Sequence, residues 1–158
     1  AFANAFLGMS HSMAHKIGGV HHTVHGRTNA ILLPYVIRYN GTRPSKTTTW
    51  PKYNYWKADE KFQDIAKMLG LPHSTPEEAV EAYAKAVYDL GVAVGIKMNF
   101  KDQGIDEKAW KDSLHEIALL AYEDQCSPAN PRLPMVADME EIMADAYYGY
   151  AERPGRRK

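Results

Sequence analysis

Seven histidines occur in 158 residues, and five of them fall close together: His11, His15, His21, His22 and His25. Imidazole is a common ligand for transition metals and the side chain that titrates near neutral pH, so such a cluster can bind a metal, move protons, or both. His11 and His15 stand at i and i+4 in a stretch that reads as helix. Four residues advance a helix by ~6 Å and turn it ~40° past one full turn, so both rings leave one face. Two imidazole nitrogens on one face can meet one ion. His25 follows the pair Gly18-Gly19. The chain is expected to reverse there, which can return His25 to the same point. His21 and His22 adjoin this turn and read as solvated or supporting groups. His73, after Pro72, and His115, mid-helix, read as carrying no chemistry. The first acidic residue of the chain is Asp59. Fe²⁺ or a catalytic Zn²⁺ commonly takes a carboxylate among its ligands. A distant acid, or another segment, therefore has to complete a metal site here.

The elements that position these residues read as helical almost throughout. A first helix is expected from Ala1 to about Lys16, stopped by the two glycines. A second runs from Gly26 to Tyr39, with Ala30, Leu33, Val36 and Ile37 at helical spacing and a kink or opened turn at Pro34. Residues 40–57 read as a long loop anchored by Trp50, Tyr53, Tyr55 and Trp56. Ala58 to Leu69 is amphipathic, with Phe62, Ile65, Ala66 and Leu69 on one side and Gly70 as its stop. Thr75-Pro76-Glu77-Glu78 is a helix start: a hydroxyl cap, proline at the first position, and acids at the positive end. That helix is expected to reach about Val94. Asp106 caps another, to about Tyr122, with Trp110, Leu114, Ile117 and Leu120 inward. After a Pro-rich connection over residues 124–135, a last helix covers Asp138 to Tyr148. Val20 to Val24 is the nearest strand candidate and is too short for a sheet. The expected fold class is all-α, with about six helices in one domain over residues 1–158.

Composition agrees with a globular chain: 45% of residues are hydrophobic and 24% charged, near the usual averages. No apolar run reaches the ~18 residues of a membrane span, so no membrane partner is expected. Cys126 is the one cysteine, which excludes an internal disulfide framework and fits a reducing, cytoplasmic setting. The net charge is zero, but residues 1–58 hold seven Lys or Arg and no acid. Either this basic part faces an anionic partner, or it attracts the acidic remainder of its own domain. The chain opens on Ala1 within an apolar run and reads as a piece of something longer.

Several motifs resemble one family. Phe2-Ala3-Asn4, Gly8-Met9-Ser10-His11-Ser12-Met13-Ala14-His15, Gly18, and His25-Gly26 with Asn29-Ala30 are similar to the metal-binding segment of the iron-containing (group III) alcohol dehydrogenases. Asp124-Gln125-Cys126 and Asn130-Pro131-Arg132 agree as well, as do Ile37-Arg38-Tyr39-Asn40 and Asp145-Ala146-Tyr147-Tyr148-Gly149. Over the whole chain the pattern resembles the alcohol dehydrogenase part of the bifunctional aldehyde–alcohol dehydrogenases of fermenting bacteria. Val24, where proline is frequent, and Arg27, where a small or apolar residue is common, depart from the pattern without removing a ligand.

The resemblance implies a dehydroquinate synthase-like fold whose helical metal-binding half is this chain. An upstream α/β domain would bind NAD and is absent here, in keeping with the lack of a Gly-rich phosphate loop. His11 and His25 match metal ligands, the metal being Fe²⁺ or alternatively Zn²⁺. The other two ligands, an aspartate and a histidine four residues apart, would lie upstream of Ala1. His15 matches a catalytic histidine beside nicotinamide and substrate, and Phe2 an aromatic position lining the substrate pocket. Cys126 lies in a segment that approaches the active site, but a lone thiol without an activating partner is expected to be inert. The implied reaction is reversible NAD-linked reduction of a short aldehyde such as acetaldehyde to the alcohol, by a protein that forms dimers or filaments. The chain alone is expected to be inactive. One rival is a non-catalytic, His-rich metal-binding module. Another is nucleic-acid binding by residues 1–58, which lack a known motif for it, so no nucleic-acid partner is expected.

Overall fold

The computed structural model describes residues 6–44 and 56–149. Among these, six α-helices follow one another: α1 (Met9–His21), α2 (His25–Gly41), α3 (Ala58–Met68), α4 (Pro76–Ala93), α5 (Glu107–Tyr122) and α6 (Val136–Tyr148), with a short 3₁₀ turn at Ser127–Ala129. The all-α expectation holds, and no strand occurs among the described residues. Phe2 and the anchors Trp50, Tyr53 and Tyr55 lie outside the described residues, as do residues 1–5 of the expected first helix; residues 6–8 are not helical, and the helix starts only at Met9, after the extended Gly8.

Two caps act as the sequence indicates. The Thr75 side chain accepts from the Glu78 amide, with Pro76 opening α4, and the Asp106 side chain accepts from the Ala109 amide at the start of α5. Each satisfies a backbone donor that the first helical turn leaves without a partner. The Gly18-Gly19 stop is overturned: α1 continues through both glycines to His21. Two helical glycines cost about 1 kcal/mol each relative to alanine. Here Ile17 lies in the core and His21 packs against Trp110, the rings tilted with centroids 5.2 Å apart, so packing outweighs propensity. The reversal falls instead at His22, which takes the left-handed conformation (φ 54°). Helix α2 is unbroken through Pro34.

The main core joins Met9, Met13 and Ile17 of α1 to Ile31 and Leu32 of α2, Trp110 and Ile117 of α5, and Met139 and Met143 of α6. A smaller cluster sets Ile37 of α2 against Val80 and Ala84 of α4, with Phe62 of α3 alongside. Three residues expected on apolar faces meet solvent: Leu33 is 38% exposed, Leu120 40% and Leu69 59%. In α5 the buried positions are Trp110, Ile117, Ala118 and Ala121, a stripe that rotates Leu120 off the inner face. In α3, Leu69 falls just past the last helical residue, where the face no longer continues. Charge asymmetry is resolved partly within the domain: Arg38 pairs with Glu81 at 2.8 Å, and Lys16 with Asp124 at 3.0 Å.

Candidate active site

Met9, Met13 and Ile17 form an i, i+4, i+8 stripe with no exposed surface. His11 and His15 sit two residues out of phase with it, about 200° around the helix. Burying the methionines therefore turns both imidazoles outward. The αL turn at His22 then folds α2 back along α1, and His25, the first residue of α2, returns to the same place. His11 and His25 have ring centroids 5.3 Å apart, His15 and His25 5.3 Å, and His11 and His15 6.1 Å. The sequence-predicted trio is thus one cluster on an open face.

Polar contacts fix the two helices relative to each other. Asn29 Nδ2 lies 3.2 Å from His25 Nε2, and the Ser10 hydroxyl donates to Asn29 Oδ1 at 2.9 Å. One amide therefore ties the first turn of α1 to His25. Burial lowers the His11 pKa, and the His25 and His15 rings lower it further. This favours the neutral imidazole that a metal requires.

A distant acid does fold in. Asp124, just after α5, places Oδ2 at 3.4 Å from His15 Nδ1 and at 3.0 Å from Lys16 Nζ. Its Oδ1 accepts from the Cys126 amide at 3.0 Å. Burial alone would raise this carboxyl, but the Cys126 amide, Lys16, His15 and the Cys126 thiol together hold it down to about 2. His15, Asp124 and Cys126 each offer a potential ligand atom, all within 4.8 Å of one another, so this second trio could also hold a metal ion. Two features oppose that use. The Lys16 ammonium shares the Asp124 oxygen that faces His15. The Cys126 thiol is pushed up by burial and by its hydrogen bond to the Asp124 carboxylate, which keeps it protonated.

Cys126 is 3% exposed, in line with an inert thiol. Iodoacetamide at pH 8 should alkylate it at least tenfold more slowly in the native protein than in urea, because the thiolate is the nucleophile. Equal rates in the two states, read by mass spectrometry, would contradict this.

The other histidines separate from the cluster. His21 Nε2 contacts the Ser113 hydroxyl at 2.9 Å, and His22 is exposed. His115 pairs with Glu140 and His73 with its own loop carbonyl at Leu71. Asp124 and Lys16 received no role from the sequence. The available signal was the motif Asp124-Gln125-Cys126, since a contact across 109 positions leaves no local spacing. The neighbouring Asn130-Pro131-Arg132 is structural: Arg132 donates to the Tyr39 carbonyl at 3.1 Å and its guanidinium lies over the Tyr39 ring.

Fold and site together define a helical domain with a histidine cluster suited to a transition metal. Residues 1–147 match the Fe-containing alcohol dehydrogenase family, C-terminal model, and the chain belongs to this family, in its C-terminal domain. It is 79% identical over all 158 residues to an aldehyde-alcohol dehydrogenase of Streptococcus pneumoniae serotype 2 (strain D39), of which it covers 18%. It is 58% identical over 151 residues, 96% of the chain, to aldehyde-alcohol dehydrogenase 2 of Entamoeba histolytica, covering 17% of that protein. The alcohol dehydrogenase from Oenococcus oeni has a similar structure, with a TM-score of 0.75 and 31% identity over 93% of this chain and 34% of that one. The chain thus spans under a fifth of the length of these curated relatives.

Proposed function

We propose that this chain is the metal-binding helical part of an NAD-dependent alcohol dehydrogenase that reduces acetaldehyde or another short aldehyde. The observation that carries the reading is the convergence of His11, His15 and His25 on one open face, 5.3–6.1 Å between ring centroids. The donors fit Fe²⁺, for which imidazole is a suitable ligand, with His11 and His25 as the ligands from this chain. Bound there, the iron supplies Lewis-acid polarisation of the carbonyl oxygen.

The rest is done by residues of the protein. His11 is kept neutral by burial and by the neighbouring rings. Asn29 and Ser10 hold the His25 ring. His15 is 37% exposed at its side chain. With Nδ1 towards Asp124, the doubly protonated ring presents Nε2–H to give a proton to the product oxygen, and the neutral ring presents the Nε2 lone pair to take one in the reverse direction. Phe2 would line the substrate pocket. The upstream part of the protein would supply NAD binding, an aspartate and a histidine to complete the ligand set, and a cover over the open face. Assembly into dimers or filaments and a cytoplasmic location belong to the same reading.

The test compares two proteins, the full-length enzyme and residues 1–158 alone, each purified free of host dehydrogenase and supplied with Fe²⁺. NADH oxidation with acetaldehyde is expected from the first and not from the second. Activity in the short chain would refute the division of labour. Iron binding without turnover in the full-length protein would favour the non-catalytic metal-binding module.

A further inference from the structure

We propose that Asp124 is the positioning residue for His15, setting which nitrogen of that imidazole faces the reacting centre. The inference rests on the reading of His15 as the proton-handling group and deepens it.

A side chain such as His15, half in solvent on a helix surface, has freedom about χ1 and χ2. Two contacts remove it. The ring stacks on His25 with planes 16° apart and centroids 5.3 Å apart, which fixes the plane. Stacking leaves open the 180° flip about χ2 that exchanges Nδ1 with Cδ2, and Asp124 Oδ2, 3.4 Å from Nδ1, selects one of the two orientations. With both in place, Nε2 points away from the carboxylate. Asp124 accepts from Nδ1–H, so in the neutral ring the lone pair is on Nε2.

The carboxylate is itself held rigidly. Its side chain is only 8% exposed, and a buried charge of this kind persists only when paired and hydrogen-bonded. The Cys126 amide on Oδ1 and the Lys16 ammonium on Oδ2 supply those partners. Lys16 follows His15 directly in α1, so one acid just past the C-terminal end of α5 braces two consecutive side chains of the helix. The Oδ1 donor is the backbone amide of Cys126, two residues on, which any residue but proline would supply. A metal ligand at Asp124 would have to exchange the Lys16 ammonium for the ion, which is why positioning is the reading the contacts favour.

The experiment is a double-mutant cycle in the full-length enzyme, with D124N, H15A and the pair, each checked for folding by circular dichroism and assayed for iron and for kcat and KM. Outer partners of this kind are worth ~10–100-fold in activity. D124N should lose about that factor in kcat, keep KM for acetaldehyde within about twofold and retain its iron. H15A should lose more, and D124N should add nothing to it, because the residue acts through the ring. If D124N does not accumulate as folded protein, D124E takes its place and must show the same non-additivity.

Three results would overturn the assignment while leaving the function intact: iron lost in D124N, unchanged kcat in D124N, or a double variant slower than H15A by the full D124N factor. Wild-type turnover in H15A would instead refute the role of His15, and the proposal with it.

Discussion

In the complete enzyme, His11→Ala and His25→Ala are each expected to lose bound iron and turnover together, while His15→Ala keeps its iron and loses ~10²–10⁴-fold in kcat, the usual range for an acid–base group. The three rings are nearly equidistant, so distance alone does not rank them. Their surroundings do. The His11 pKa is lowered by burial and by both neighbouring rings, which suits a neutral ligand. His25 is held by Asn29, whose other end is anchored on Ser10 in the first turn of α1. His15 instead faces a carboxylate. His22→Ala, at an exposed side chain beyond the end of α1, should change neither quantity. Metal content and kcat measured on the same four preparations decide the matter. If His15→Ala empties the site while His11→Ala leaves it filled, the His15–Asp124–Cys126 trio is the metal centre.

What the sequence revealed of this site was its local part. The i, i+4 pair is a property of helix geometry, and it survives any error in where the helix stops. The Gly18-Gly19 stop was such an error. Propensity favours ending a helix there, but Ile17 and His21 both pack into the domain, and the helix outlasts its glycines by two residues. The return of His25 was expected for the wrong reason: the reversal belongs to His22 in the left-handed region, which nothing in its composition announces. The caps at Thr75 and Asp106 were legible because a cap is a contact between residues three apart. Leu120 was misplaced because a spacing rule assigns a stripe without knowing how wide it is, and in α5 alanines at 118 and 121 fill the inner face. Asp124 lay beyond any periodicity argument. Its tie to His15 arises only when α5 packs against α1 and the following turn bends back beneath it. The family motif marked the residue as notable but left its partner unnamed.

Asn130→Ala should destabilise the domain by about 3 kcal/mol, since each buried polar group left without a partner costs ~1–3 kcal/mol. Asn130 is 1% exposed and uses both ends of its amide. Oδ1 accepts from the Met9 amide and from Asn40 Nδ2, each at 3.3 Å, and Nδ2 donates to Asn40 Oδ1 at 2.7 Å and to the Arg132 carbonyl at 2.6 Å. Two donors and two acceptor sites are all an asparagine side chain has, so truncation strands groups on three other residues. One of them, the Met9 amide, belongs to the first turn of α1, where backbone donors have no helical acceptor. His11 is two residues further on, so the side chain that closes this turn also anchors the start of the histidine face. Gly8→Ala attacks the same lock from the other side. A Cβ at Gly8 would stand 2.8 Å from Asn130 Oδ1, closer than van der Waals contact permits, while the Gly8 backbone itself is in an extended conformation open to any residue. Its cost therefore comes from displacing the amide, and it should be largely absent once Asn130 is alanine. Urea denaturation of the four variants, wild type, each single and the double, measures both effects. Non-additivity of at least 1 kcal/mol is expected, in the direction of a double variant more stable than the sum of the single losses predicts. Asn130→Ala within 0.5 kcal/mol of wild type would mean that the amide network contributes no more than a solvent-exposed side chain does. Additive losses would mean that Gly8 is required for some reason other than the approach of Asn130.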